Sequence, residues 1–320
     1  MSVNGSVGLS VKRIVKPFIP RTWILKRVFQ SELLSEEAEL KIVPFLCKRH
    51  QTCIDVGANM GVYSYVFFKW SKSVIAIEPH PDLALRLRKL FPSAVRVINI
   101  AASDSDGVSD FHIPSVNGAE ISSRSSLENS ANAGMDVRNI RVETRRLDSL
   151  SLAPSTVAIV KIDVEGHEMR TLEGMTGILE QSHPTLIVES EARHHPNAPQ
   201  IVFNFLKKYG YEGYFIHRDR FKPLSDFSVG EFQNEVNMKP VFGARSPDYV
   251  NNFIFFHVNR PDLVDAIANI YRSTRYEKKV VVVAQPSSST NSCDLAAYGW
   301  RQRVASSQVL DTARRFRRIL

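Results

Sequence analysis

The sequence predicts a doubly wound α/β fold with a mostly parallel sheet covered by helices on both faces. Three observations carry this reading. Apolar strand segments and helical segments alternate from residue 51 to 103 and again from 156 to 218. Segments such as VAIV and TLIV are apolar almost without interruption, which suits strands buried on both faces. The segment CIDVGANMGVYS, residues 53–64, passes from a strand through Gly57 and Gly61 into an aromatic helix, and such a strand–turn–helix unit makes a ligand cradle.

Taken in order, residues 1–30 mix basic and apolar residues without clean periodicity, and read as an irregular arm or a short amphipathic helix. Ser35 with Glu36, Glu37 and Glu39 reads as an N-cap and acidic first turn, opening a helix that Pro44 should disturb. QTCIDVG is the first strand, a helix follows near 61–70, and SVIAIEP is the second strand. PDLALRLRKLF is a helix with Leu83, Leu87 and Leu90 on one face, and VRVINIAAS is the third strand. Residues 105–150 break the rhythm: GVSDFHIP and IRVETRRLDSL read as antiparallel strands around NGAEISSRSSLENSANAG, expected to be a mobile loop. Then come the strand TVAIVKIDVEG, a helix over 167–180, the strand TLIVESE, a helix near 198–209, and the strands YEGYFIHR and NNFIFFHV. After 260 the sequence predicts one more helix, a strand VVVVA at 280–284, a QPSSSTNS linker and a basic tail helix. The expected organisation is an arm over 1–34, one folded domain over 35–259 with an insert at 105–150, and a C-terminal segment over 260–320.

Charge narrows the partners. The net charge of +8 belongs to the ends: residues 1–50 hold nine Lys/Arg against four Asp/Glu, residues 272–320 ten against three, and the middle 22 against 26. A basic nucleic-acid groove through the core is therefore not expected. The tails read as solubilising, with peripheral contact to an anionic or membrane surface as the alternative. No apolar run reaches the about 18 residues of a spanning helix, and the start carries no secretory signal. Three cysteines without CxxC spacing point to a reducing, cytoplasmic compartment and no structural zinc.

Two ligands compete for the glycine turn: a dinucleotide and S-adenosylmethionine. The spacing is DxGxxxG (Asp55, Gly57, Gly61), and Asn59 stands where a dinucleotide fingerprint needs its middle glycine. Asp55 would repel a pyrophosphate yet attract an amino-acid ammonium, which favours S-adenosylmethionine across Asp55, Gly57, Ala58, Asn59 and Gly61. The competing reading is a mere tight turn. Glu78, followed by Pro79, ends the second strand 23 residues after Asp55, where a carboxylate matches a ribose diol. After the third strand, Ala102, Ser103 and Asp104 offer a wall for adenine and an acceptor for its amino group, unless they are only an Asp-Gly-bounded turn.

DVGANMGVYS, AIEPHP, NIAASDSDG, the SSL of residues 125–127, RRLDSL, and KIDVEGHEMRTLEGMTGIL followed by HPTLIVESE resemble the successive motifs of the FkbM-type methyltransferase family, over roughly residues 35–258. The resemblance implies a class I methyltransferase (Rossmann-like) fold with an antiparallel last strand. It also implies S-adenosylmethionine as donor and O-methyl transfer to a hydroxyl, often of a sugar or glycolipid. With the methyl already activated, the protein's task is alignment plus general-base help. KIDVEGHE places Asp163, Glu165 and His167 at the reacting edge, with His167 the first candidate base and Asp163 the second. Lys161, inside an apolar strand, is expected to pair with Asp55 or Glu189 and to be structural. Asp163, Glu165 and Glu189 could hold a divalent cation, although none is expected. His194 and His195 read as loop residues or substrate contacts. The rival functions are a nucleic-acid methyltransferase using the tails, a non-catalytic S-adenosylmethionine-binding protein, and a dinucleotide oxidoreductase.

Overall fold

The computed structural model describes residues 37–283, apart from 133, 152–156, 235 and 237–247, together with residues 25, 27 and 29. The Ser35 cap, the QPSSSTNS linker and the basic tail helix lie outside the described residues. Numbered in chain order, the strands are β1 Thr52–Val56, β2 Ser73–Ile77, β3 Val95–Ile98, β4 Ala101–Ala102, β5 Gly107–Val116, β6 Ala119–Glu120, β7 Asp136–Arg145, β8 Val157–Ile162, β9 Thr185–Glu189, β10 Tyr211–His217, β11 Arg220–Pro223 and β12 Asn252–His257.

Eight of these strands form one sheet in the order β11-β10-β12-β9-β8-β1-β2-β3, and β4, β7, β5 and β6 form a second. Strands β3, β2, β1, β8 and β9 pair in parallel, while β12 runs antiparallel between β9 and β10. Chain order reverses direction at β1, flanked by β2 and β8, so the crevice beyond the carboxyl ends of β1 and β8 is where this topology binds ligands. Alternation along each strand divides the core. Cys53, Val74, Ala76, Ile159, Ile187 and Ile254 face one apolar layer, and Ile54, Ile75, Val160, Leu186 and Phe253 face the other.

The helix Pro81–Leu90 has Pro81 in its first turn, His80 accepting from the Asp82 N–H, and Arg88 and Lys89 in its last turn. The helix Val62–Trp70 begins after Gly61, whose φ of 89° is left-handed. Helix Pro261–Val283 packs Ile267, Ile270 and Tyr271 into the first apolar layer. Leu25 and Phe29 are helical and buried, and Phe29 stacks with Tyr65 and Phe91.

Four expectations need correcting. Residues 280–283 of VVVVA are the end of helix Pro261–Val283, not a strand. A valine costs a helix only about half a kcal/mol, and extending an established helix is easier than finding a sheet edge. The helix expected over 167–180 is two, Glu168–Glu173 and Thr176–Ser182. The break falls at Gly174, where a Cβ would overlap the Ser103 carbonyl oxygen. Asp148 of RRLDSL restarts the helix by accepting from the Gly177 and Ile178 N–H groups. NGAEISSRSSLENSANAG, expected as a mobile loop, carries β6 and two 3₁₀ turns, and Ser126 bridges back to His112 on β5. The helix expected to open at Ser35 and to be disturbed at Pro44 is, in its described part, a 3₁₀ turn Ala38–Lys41 followed by a short helix Val43–Leu46 with Pro44 in its first turn.

Candidate functional site at the carboxyl edge of the central strands

The glycine turn is built from its own chain. Gly57 and Ala58 donate to the Ile77 carbonyl, Gly61 donates to Ala58, and Asn59 donates to Glu78 Oε2 at 2.7 Å. Asp55, only 1% exposed, spends Oδ2 on the N–H and hydroxyl of Ser64 at 2.8 and 2.6 Å. It thereby caps helix Val62–Trp70. Gly57 adopts φ 76°, and a Cβ there would overlap the Asp163 carbonyl oxygen. Its bareness is demanded by β8, which joins β1 again through the Asp163 N–H and the Val56 carbonyl at 3.0 Å.

Glu78 lies buried at the end of β2, with Oε1 accepting from the His80 N–H at 2.8 Å and Oε2 from Asn59. Asn99 holds the Glu78 and Pro79 carbonyls at 2.8 and 2.9 Å, so β3's end fixes β2's. The Asn59 side-chain oxygen is buried with no partner of its own beside this carboxylate's anchor. Ala102 is buried, and its carbonyl accepts from the Thr171 hydroxyl. Asp104 Oδ1 accepts from Ser105 and lies 3.1 Å from the Ser103 hydroxyl, and Oδ2 accepts from Arg170 at 2.9 Å. These bonds together hold its carboxyl below the usual range despite partial desolvation.

Across the crevice, Asp163, Glu165 and Glu189 come together with ligand atoms within 4.8 Å of one another. Lys161, 1% exposed, sits beneath them: Nζ donates to Asn252 Oδ1 at 2.9 Å and lies 3.5 Å from Asp163 and 3.9 Å from Glu189. Glu189 is thus one of the two partners expected for Lys161. Arg193 clamps Glu165 and Glu191, each at 2.7 Å, and His194 Nε2 lies 3.2 Å from Glu165. Burial drives the Glu191 and Arg193 charges apart from water, and their mutual pairing overcomes it, holding Glu191 far below and Arg193 far above their ordinary ranges. His167 is buried, with Nε2 2.9 Å from the Ser103 hydroxyl and Nδ1 2.6 Å from Glu128. Both ring nitrogens are therefore engaged by side chains.

The sequence did not single out Ser64, Asn99, Glu128, Arg193 or Asn252. Ser64 lies three residues into the helix after Gly61, Asn99 opens NIAASDSDG, Glu128 follows SSL and Arg193 precedes His194, so each adjoins a motif or candidate read from the sequence without its own role being marked; Asn252 comes from the distant strand β12.

Three buried carboxyls are raised by desolvation, Asp55 to about 6 and Glu78 and Glu168 to about 7. A raised folded-state pKa contributes stability that is complete below the unfolded value near 4 and lost as pH rises through 6 to 7. Glu168→Gln is therefore expected to lose less stability than the unsubstituted chain between about pH 5 and about pH 8, by up to roughly 3 kcal/mol. Urea midpoints at several pH values check it, and parallel curves would refute it.

A sheet with β12 antiparallel between β9 and β10, with Asp55 near the end of β1 and Glu78 just after β2 at its switch point, has the class I methyltransferase fold. Residues 55–212 match the family model of the methyltransferase FkbM domain, and this part of the chain belongs to the FkbM methyltransferase family. Over 207 residues the chain is 28% identical to the hexuronic acid methyltransferase AglP of Haloferax volcanii, covering 64% of this chain and 80% of that protein. The solved methyltransferase FkbM from Methylobacillus flagellatus aligns with a TM-score of 0.41 and 14% identity over 64% of this chain, which spans 43% of that one. SMU.1697c from Streptococcus mutans, solved in complex with SAH, aligns with a TM-score of 0.39 and 10% identity over 69% of this chain and 96% of that one. No helix among the described residues is long and apolar enough to cross a membrane.

Proposed function

We propose that the protein is an S-adenosylmethionine-dependent O-methyltransferase whose acceptor is a hydroxyl of a saccharide or glycoconjugate. The observation that carries the donor is Glu78: a buried carboxylate at the end of β2, both oxygens oriented by backbone N–H groups, is pre-set to receive a ribose diol. The dinucleotide rival loses ground because the N–H groups of Gly57, Ala58, Asn59 and Gly61 are spent within the chain and do not cradle a pyrophosphate. The bound donor supplies an activated methyl group. The chain's residues supply the rest: Glu78 with Asn59 orients the donor, segment 102–104 walls its base, and the carboxyl edge of β8 receives the acceptor.

Asp163 is the catalytic candidate with an accessible carboxylate, its side chain 33% exposed, against 11% for Glu165. It is assigned the hydrogen bond that orients the acceptor hydroxyl and draws off its proton. Glu165 is held by Arg193 and His194, and positions that edge. This reading routes no step through a divalent cation, and Lys161 and Arg193 offset part of the carboxylate charge.

The sugar acceptor draws support from the likeness to the hexuronic acid methyltransferase and from the charge of the edge. Asp163, Glu165, Glu189 and Glu191 outnumber Lys161 and Arg193, a field that repels a phosphate polyanion and so disfavours the nucleic-acid rival. Calorimetry with S-adenosylhomocysteine and NAD, followed by labelled donor offered to glycans, glycolipids and RNA, tests both halves. S-adenosylhomocysteine alone should bind and label should enter the glycan pool; NAD binding or label in RNA would sink the reading. Glu78→Ala should weaken S-adenosylhomocysteine at least tenfold through lost charge-assisted bonds. Unchanged affinity would remove the ribose role.

A further inference from the structure

The SSL motif and the acid that follows it are left without a task by the reading above, yet the structure fastens them to the site. Ser126 and His112 exchange backbone hydrogen bonds at 2.8 and 3.1 Å, which ties the segment to β5. The Ser126 hydroxyl donates to the Glu165 carbonyl at 2.7 Å and accepts from the Glu128 N–H at 3.0 Å, tying it also to the loop after β8. Glu128 is thereby delivered to His167 Nδ1 at 2.6 Å, and His167 Nε2 meets the Ser103 hydroxyl at 2.9 Å. The atoms follow the order of a serine nucleophile with its base and orienting acid. Ser103, however, is buried, and its hydroxyl is shared with a second acceptor, Asp104 Oδ1, at 3.1 Å.

That sharing has a chemical consequence. A carboxylate only accepts, so Glu128 obliges Nδ1 to carry the hydrogen, and in the neutral ring Nε2 is then an acceptor. The one hydroxyl hydrogen of Ser103 goes to Nε2 and turns away from Asp104. Asp104 keeps Ser105 on Oδ1 at 3.0 Å and Arg170 on Oδ2, and Oδ1 retains capacity for a further donor. Without Glu128 the ring is free to take the other tautomer, donate to Ser103 and send the hydroxyl hydrogen to Asp104, filling that capacity.

We propose that Glu128, carried by the insert, is a positioning residue that acts through His167 and Ser103 to keep Asp104 open as the acceptor for the donor's exocyclic amino group. The proposal rests on the donor site assigned above. It makes the insert a determinant of purine recognition at the donor site.

The test is calorimetry with S-adenosylhomocysteine and with S-inosylhomocysteine, whose carbonyl replaces the amino group. Glu128→Ala should weaken S-adenosylhomocysteine about tenfold, the worth of one lost hydrogen bond, while leaving S-inosylhomocysteine unchanged or tighter. Glu128→Gln, whose amide oxygen still accepts from Nδ1, should retain the unsubstituted preference. Equal losses for both ligands in a variant with an unchanged thermal midpoint would mean mere strapping of the insert and would overturn the relay, as would no loss at all. If the unsubstituted chain binds neither ligand, the donor-site reading itself falls, and the relay with it.

Discussion

Gly57→Ala is expected to leave little folded protein. Two penalties add at this position. With φ at 76°, an L-residue meets the left-handed cost of about 1 to 2 kcal/mol. The new Cβ would also overlap the Asp163 carbonyl oxygen, a backbone atom at the end of the neighbouring strand, which cannot rotate away as a side chain can. Relief requires β1 and β8 to part where the Asp163 N–H meets the Val56 carbonyl, and overpacking of this kind typically costs a further 1 to 3 kcal/mol or more. A total of about 4 kcal/mol is a large share of the about 5 to 15 kcal/mol that holds a domain together. Gly61→Ala provides the contrast. Its φ of 89° brings the same strain, but its Cβ would meet Leu87 Cδ2 at 2.7 Å and Phe91 Cε2 at 2.9 Å, side-chain atoms that can turn about their own bonds as a backbone carbonyl cannot. Denaturant midpoints should therefore fall further for Gly57→Ala than for Gly61→Ala; equal midpoints would show that the turn can open without cost.

That contrast changes what the DxGxxxG spacing means. In the sequence it looks like a ligand signature, but Asp55 caps the helix through Ser64, Gly57 accommodates the Asp163 carbonyl, and Gly61 accommodates the facing helix. In the function proposed above the ribose contact falls to Glu78, whose position was legible because an apolar strand ending in a single acid is a local signal. The hairpin joining β10 to β11 was not legible. Its two turn residues, Arg218 and Asp219, adopt φ of 48° and 55°, a conformation usually announced by Asn or Gly. Glu128 was hidden for a different reason: it sits among small polar residues that look like a loop, and its placement depends on Ser126's bonds to β5 and to the loop after β8. His167, read from its chemistry as the first candidate base, has Glu128 and Ser103 at its two ring nitrogens, partners that residue type alone does not announce.

Lys161→Met is expected to cost stability on the same scale, by a different route. Methionine matches the lysine stem as far as Cε and keeps its packing, whereas the approach of Nζ to the Tyr63 ring, 5.2 Å from the centroid, is lost with the ammonium. What vanishes is the charge. Glu189 and Asn252, each 4% exposed, then lack the ammonium beside them, and breaking one side of a buried ion pair costs about 3 to 5 kcal/mol. The loss should depend on pH in a direction fixed by the neighbours. The Lys161 charge pulls the Asp55 carboxyl down against its burial, so removing the ammonium lets that pKa climb above about 6. A group with a raised folded-state pKa loses its contribution as pH increases, so the deficit of Lys161→Met should be smaller at about pH 5 than at about pH 8. Adding Glu189→Gln should recover part of the loss, because the double substitution removes the stranded charge as well. A single variant that melts with the unsubstituted chain at both pH values would show that this ammonium does not hold the fold and would overturn the structural reading of Lys161.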